Sequence, residues 1–428
     1  MIHARSRRTL LVGAVSSVSL LLVACDGGSS APPTKSGGPT IRAEAACDLK
    51  GEKAPLRRTL IFVDAKALKK AADAVGFSEQ NKAFRDLILA IADPAVALPA
   101  GTSAAREQIT IAVVPADGSA AQTTFVGCIP GLSSQEMADA QEREGGIGSM
   151  FSSGTARELD DQASNFRTQL IGGMVAAGAL AADKPGSSSG PVDAAPFLAG
   201  LRASKGIFDG DDRVQRLVLV SDLSELDLPA GDSAALRKAG AEAGRKAAAD
   251  LPQVDVHVVL PAGRSAAGRD FFESYWLAQG GRLLSYGPEK MGNASPAPAR
   301  MWRFSAKAAY PSGDELADVR IGDDGKGKLT ASWLTLLGTP SFAIPMTGSI
   351  ACSGEDCEIR SDRGGFAQAW SPQPGGEPEF GNEMPFGGMR NFALKIAGGT
   401  LTGEATDEGV YIGADKGRQG IAITGKAK

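Results

Sequence analysis

Thr59-Leu60-Ile61-Phe62-Val63-Asp64 is an apolar run that stops at a carboxylate, and Leu217-Val218-Leu219-Val220-Ser221-Asp222 repeats the arrangement farther along the chain. A strand that is apolar at successive positions has both faces buried, the condition of a central strand in a parallel sheet. Parallel neighbours must be joined by long crossovers, usually helical. The chain supplies them. Phe84, Leu87, Ile88 and Ile91 stand at i, i+3, i+4 and i+7, and further helices are predicted over 158–180, 192–203 and 234–249. Another carries Phe271, Phe272, Tyr275 and Trp276. Strands are predicted over 254–260 and 282–285, and over 108–114 and 122–126 as a hairpin about Ala116-Asp117-Gly118-Ser119. Strands alternating with helices at these lengths predict a doubly wound α/β sheet over 55–287.

The pattern changes at 288–300, where Gly, Asn, Ser and two prolines follow one another without periodicity, so this stretch is predicted to link two domains. Beyond it helix signals vanish. Short strand candidates at 328–336, 342–350, 357–360, 366–370, 391–396, 400–405, 410–413 and 420–424 are separated by Gly-rich turns, which predicts an antiparallel all-β domain over 301–428.

At the other end, Arg5, Arg7 and Arg8 precede an apolar stretch over 10–23, too short for a comfortable membrane span, that closes in Leu22-Val23-Ala24-Cys25. It reads as an export signal peptide over 1–25. The closing residues resemble the lipobox of bacterial lipoproteins. That resemblance implies acylation of Cys25 (a palmitate-type anchor) and a place in the bacterial cell envelope, facing the periplasm and held to the membrane by lipid. Ser6-Arg7-Arg8-Thr9-Leu10-Leu11 resembles a twin-arginine export motif as well as it does a generic basic n-region. Residues 26–54 are rich in Gly, Ser, Pro and Thr at their start and are predicted to form a flexible tether.

Charge and cysteine content narrow the field. A net charge of −4 gives no electrostatic basis for nucleic-acid binding. Five cysteines minus Cys25 leave an even number, which in an exported chain predicts the disulfides Cys47–Cys128 and Cys352–Cys357. The rival reading, zinc, lacks histidines, because beyond the leader the chain has His257 alone. The same scarcity removes a Ser-His-Asp arrangement beyond that residue, and His257, alternating with valines, reads as structural. No G-x-G-x-x-G or Walker loop follows the first strand. Asp209-Gly210-Asp211-Asp212 and Asp323-Asp324-Gly325 lack the ligand spacing of a calcium loop and read as turns.

Ligands of open α/β sheets bind beyond the carboxyl ends of the strands, where Asp64 and Asp222 are both expected. The strand ending at Asp64, the hairpin, and Leu219-Val220-Ser221-Asp222-Leu223 together resemble a von Willebrand factor A domain over 55–287. The resemblance is closest to exported bacterial proteins with a Cys-x-Pro-Gly after the hairpin, here Cys128-Ile129-Pro130-Gly131. The family's metal-ion-dependent adhesion site implies Asp-x-Ser-x-Ser after the first strand, a threonine in a middle loop and a late aspartate. Asp64 and Asp222 match the aspartates, and Thr155 is the candidate threonine. Lys66 and Leu68 stand at the serine positions and offer no oxygen to a hard cation. The site is therefore expected to be degenerate, with no metal and no other cofactor. Two readings of Lys66 stand side by side: an ammonium that fills the cation's place between Asp64 and Asp222, or a solvated lysine at a loop start.

The expectation is a non-catalytic protein-binding or scaffold module, not an enzyme, with Asp64, Lys66, Ser221 and Asp222 as its candidate site and an unidentified envelope protein as partner. The alternatives are a metal-dependent adhesion module with an irregular site, and an enzyme whose site lies in the β-domain or the 131–154 loop.

Overall fold

The computed structural model describes residues 41–43, 54–69, 82, 85–86, 88–89, 107–130, 154–182, 195–204, 206, 213–223, 228–247, 253–259, 266–287, 298–310, 313–337, 342–361, 389–407 and 419–428. The lipobox, Cys47, the 131–153 loop and the strand candidates at 366–370 and 410–413 lie outside them. No helix among the described residues is long and apolar enough to cross a membrane.

A seven-stranded mixed sheet forms from β1 (Ile41–Ala43), β2 (Arg57–Asp64), β3 (Glu107–Val114), β4 (Gln122–Cys128), β5 (Val214–Val220), β6 (Val254–Val259) and β7 (Gly281–Tyr286), in the order β1-β4-β3-β2-β5-β6-β7. β2, β3, β5, β6 and β7 are parallel, and β4 returns antiparallel to β3 through the predicted hairpin. Gly118 (φ 75°) and the Asp117 carboxylate, which accepts from the Ser119 N–H, make that turn.

Continuous apolarity in β2 has the expected cause. Leu60 and Phe62 enter one core, and Ile61 and Val63 enter the core on the opposite face. Helix α1 (Gly154–Ala182) covers the second face with Phe166, Leu170 and Met174. Helices α2 (Ala195–Ala203), α3 (Ser233–Ala247) and α4 (Ala266–Leu277) lie on the chain between the strands of the first face, where Phe271, Phe272, Tyr275 and Trp276 of α4 fill the core. α3 approaches α4 backbone to backbone. A Cβ on Gly240 would lie 2.0 Å from the Phe271 carbonyl oxygen, and one on Gly244 would lie 2.3 Å from that of Tyr275. Part of the chain's glycine thus serves helix packing.

The second sheet is antiparallel throughout. It comprises β8 (Arg300–Tyr310), β9 (Gly313–Asp323), β10 (Ser332–Leu336), β11 (Phe342–Met346), β12 (Gly348–Ser353), β13 (Asp356–Ser361), β14 (Met389–Ala397), β15 (Thr400–Asp407) and β16 (Gln419–Ala427), ordered β11-β10-β9-β8-β16-β15-β14-β13-β12. Its two edge strands, β11 and β12, are separated in sequence only by Thr347. The Leu329 N–H donates to Gly348 O and the Ile350 N–H to Gly327 O, so the segment entering β10 reaches β12 and nearly closes the sheet. Phe304, Val319, Ile321, Leu334, Ile359, Leu394 and Ile423 fill its interior at period two.

The organisation is thus an α/β sheet followed by an all-β sheet, with three departures from the sequence reading. Ile41–Ala43, expected within the tether, pair parallel with Phe125–Gly127 as an added edge strand. β8 begins at Arg300, inside the predicted linker, and the hairpin β8–β9 was not anticipated. Among its inward residues, Ala306, Ala308 and Ala317 carry little β signal beside Phe304, Val319 and Ile321. The run 342–350 is two strands broken at Thr347.

Cys352 and Cys357 are cross-strand partners in β12–β13 and form the expected disulfide. Cys128 is disulfide-bonded as well. The sheets touch where Gln253, just before β6, hydrogen-bonds Thr335 of β10, and where the Arg282 guanidinium lies 5.3 Å over the Trp333 ring.

Candidate functional site

At the carboxyl ends of the central strands the structure brings Asp64 and Ser221 together. Both are buried, as is Asp222. Ser221 Oγ donates to Asp64 Oδ2 at 2.7 Å. The main-chain N–H of Lys66 donates to Oδ1 at 2.9 Å and that of Ala67 at 3.4 Å, turning the chain into the helical residues 65–69. An aspartate that accepts from amides two and three positions on acts as a helix N-cap. Burial pushes the Asp64 carboxyl above the usual carboxylate range, and Ser221, the two amides and the Lys66 charge pull part of the way back.

Lys66 takes a different part from the one proposed for its ammonium. Its backbone is what touches Asp64, and among the described residues its side chain makes no ion pair with Asp64 or Asp222. Leu68 is packed into the core with Ile61, Val63 and Ile88. Thr155 lies in the first turn of α1. No group of three His, Cys, Asp or Glu side chains with metal-site geometry occurs among the described residues. The pair of positions that would have to lend oxygens is therefore occupied by a core leucine and a backbone donor, and the residues present do not fit the family's cation.

Tyr286, at the end of β7, borders the same region. Burial, and then the Asp222 charge, push its hydroxyl above the ordinary tyrosine range, and among the described residues that buried oxygen has no hydrogen-bond partner.

The opposite end of the sheet holds a group that sequence reasoning missed. Glu107 accepts from Arg57 Nη2 and Arg216 Nη2, each at 2.9 Å, and from the Thr59 hydroxyl. Arg216 Nε donates to Thr59 Oγ1 at 2.9 Å. Thr59, Arg216, Asp255 and Arg282 are register partners on successive strands and so share one face. Arg282 grips Asp255 Oδ1 through Nε and Nη2 at 3.0 and 2.8 Å. Burial raises the Glu107 carboxyl, but the two guanidiniums outweigh it and hold it at about 2. Burial, followed by the Arg57 charge, lowers Arg216 to about 10 against the pull of Glu107. His257 stands one step up the same face. Its Nδ1 is 2.9 Å from Ser285 Oγ, its Nε2 has no hydrogen-bond partner among the described residues, and burial plus Arg216 lower its pKa to about 3. The structural reading of His257 accords with this surrounding. The available signal was a charged residue within the first three positions of strand after strand.

The Asp323-Asp324-Gly325 carboxylates cap turns, accepting from the N–H groups of Gly325, Lys326 and Lys328.

Against known proteins, no family model matches the chain and no curated protein matches it. Among solved structures it is similar to the crystal structure of the human COPII-coat protein Sec24c, at 10% identity and a TM-score of 0.29, over 87% of this chain and 43% of that one. The chain spans less than half of that protein's length, and a likeness this slight carries no inference.

Proposed function

We propose that this chain is a lipid-anchored envelope protein whose von Willebrand A-like sheet serves as a non-catalytic protein-binding module. The strand order β4-β3-β2-β5-β6-β7, antiparallel only at β4, supports the fold resemblance. The observation that carries the functional reading is the occupancy of Asp64. Both of its oxygens accept internal hydrogen bonds, from Ser221 and from the amides of Lys66 and Ala67. A carboxylate engaged in this way shapes the loop at the strand end and is not presented to a reacting group or a cation. Recognition then falls to the surface shape of the strand-end loops, with Cys25 supplying the membrane attachment and Cys47 the partner of Cys128.

The test is a crosslinked pull-down of the intact lipoprotein from its own envelope, run beside melting curves in millimolar Mg²⁺, Mn²⁺ or Ca²⁺. Capture of a defined envelope protein with no shift in melting is expected, because a ligand stabilises in proportion to its occupancy. A metal-dependent rise in Tm that Asp64→Ala removes would overturn the reading in favour of a metal-dependent adhesion module.

A further inference from the structure

Residues 37–428 form one compact unit, and the place where its two sheets meet is built from unusual backbone. Among the described residues, the non-glycine positions with left-handed φ are Gln253 (59°) and Ala331 (47°). Such conformations cost free energy and persist where surrounding structure demands them. Gln253 immediately precedes β6 and sends its side chain to Thr335. Ala331 immediately precedes β10, the strand that carries both Trp333 and Thr335. Each strained residue therefore sits at the entry to one half of the contact. Leu334 faces the interior of the β-domain, so its neighbours Trp333 and Thr335 face outward by the period of two. Trp333 is nonetheless fully buried. Its ring takes the Arg282 guanidinium on its face at 5.3 Å, while the same guanidinium is held by Asp255.

We infer that this contact is a lock that holds the β-domain in one orientation on the α/β sheet, so that the two domains present a single rigid surface. The lock has two arms. One is the Gln253–Thr335 hydrogen bond, aimed by the left-handed backbone at Gln253. The other is the stack Asp255–Arg282–Trp333, in which Asp255 fixes the guanidinium plane before it meets the indole. A planar guanidinium that is already oriented loses little freedom on stacking, which a lysine at the same position cannot match. Among the described residues the buried Trp333 Nε1 has no hydrogen-bond partner, so the ring is used for its face and its bulk.

Native-state hydrogen exchange on the full-length mature protein, with small-angle scattering on the same samples, tests the lock. In the unmodified protein the amides of β6, β7 and β10 should share one opening free energy, and the scattering should fit a single rigid arrangement. Trp333→Ala and Arg282→Lys should each uncouple β10 from β6 and β7 and broaden the interdomain distances, while secondary structure within each domain is kept. Trp333→Phe, which keeps a ring face and removes the orphaned N–H, should remain coupled. Gln253→Asn tolerates the left-handed backbone but is too short to reach Thr335, so partial uncoupling isolates that arm from backbone strain. Independent opening of the two domains in the unmodified protein would overturn the inference, as would full coupling in both Trp333→Ala and Arg282→Lys. Should Trp333→Ala fail to fold, Arg282→Lys alone decides between these outcomes.

Discussion

The two ends of the central sheet handle buried charge in opposite ways. At the carboxyl end, Asp64 is neutralised by dipoles: a hydroxyl and two amides surround it, and its pKa is raised. At the amino end, Glu107 is neutralised by full charges, two guanidiniums, and its pKa is lowered to about 2. Both carboxylates are buried to a similar degree, so burial alone does not set the direction of a shift; the partner does. The dipolar end belongs to the candidate recognition site, and the ionic end binds strand to strand and reaches Trp333 of the β-domain through Arg282. A charge that must not titrate is given counter-ions, and a charge that shapes a loop is given a cap.

The contrast breaks most visibly at Glu107. Glu107→Ala removes the acceptor shared by Arg57 and Arg216 and leaves excess positive charge in the interior. A loss of about 3–5 kcal/mol is expected, the cost of removing one partner of a buried pair. Urea unfolding of the purified variant measures it, and a loss below about 1 kcal/mol would place Glu107 with the weak surface pairs instead.

The ends also differ in how readily the sequence reveals them. Asp64, Ser221 and Asp222 were legible because each closes an apolar run within six residues, so a local pattern marks the position and the sheet rule supplies the meeting point. Glu107, Arg57, Arg216, Asp255 and Arg282 come from five strands, and nothing local distinguishes a charge buried by register from one at a solvated strand start. Lys66 shows the limit from the other side: the residue type suggested either an ammonium in the cation's place or a solvated lysine, whereas the contact with Asp64 is made by its backbone N–H, which any non-proline residue would supply, and its charge adds a smaller pull. In the β-domain, strands with branched or aromatic inward residues such as Ile359 and Leu394 were legible. β8 and β9 escaped because Ala306, Ala308 and Ala317, compatible with either helix or strand, dilute the alternation set by Phe304, Val319 and Ile321. β1 escaped because three residues are too few to show a period.

A second break uses acid. His257 has a folded pKa of about 3 against an ordinary value of 6.5. The unfolded chain therefore takes up the proton first, and stability present above pH 6.5 is lost as the pH falls toward 3. At pH 4.5 the loss amounts to about 3 kcal/mol from 2.303RT per pH unit. Glu107 adds to it only below 4.5, since its contribution is present above the unfolded value and lost as the pH falls through that range toward about 2. His257→Gln removes the first process and leaves the second. Stability curves of the two proteins should differ in slope between pH 6.5 and about 3 and run parallel below it. Identical slopes throughout would mean that the imidazole is protonated in the folded state without cost.

The smallest effect is the sharpest for the candidate site, because it separates a cap from a cation ligand. Ser221→Ala removes one of the three donors to Asp64 and leaves the two amides in place. A hydrogen bond to a charged group contributes about 1.5–3 kcal/mol, and the remaining donors hold the loss to the lower part of that range at pH 7. Without Ser221 the Asp64 pKa rises further, because that hydroxyl is the largest of the influences pulling it down. A carboxyl whose folded pKa is raised favours the folded state below 3.8 and loses that contribution as the pH rises through its folded value. The destabilisation by Ser221→Ala should accordingly be larger at pH 7 than near pH 4, because the hydroxyl stabilises the charged form of the carboxyl and that form becomes scarcer as the pH falls. Urea titrations of both proteins at the two pH values read this directly. A loss independent of pH would show that Ser221 acts through packing, and the cap at the strand end would then rest on the Lys66 and Ala67 amides alone.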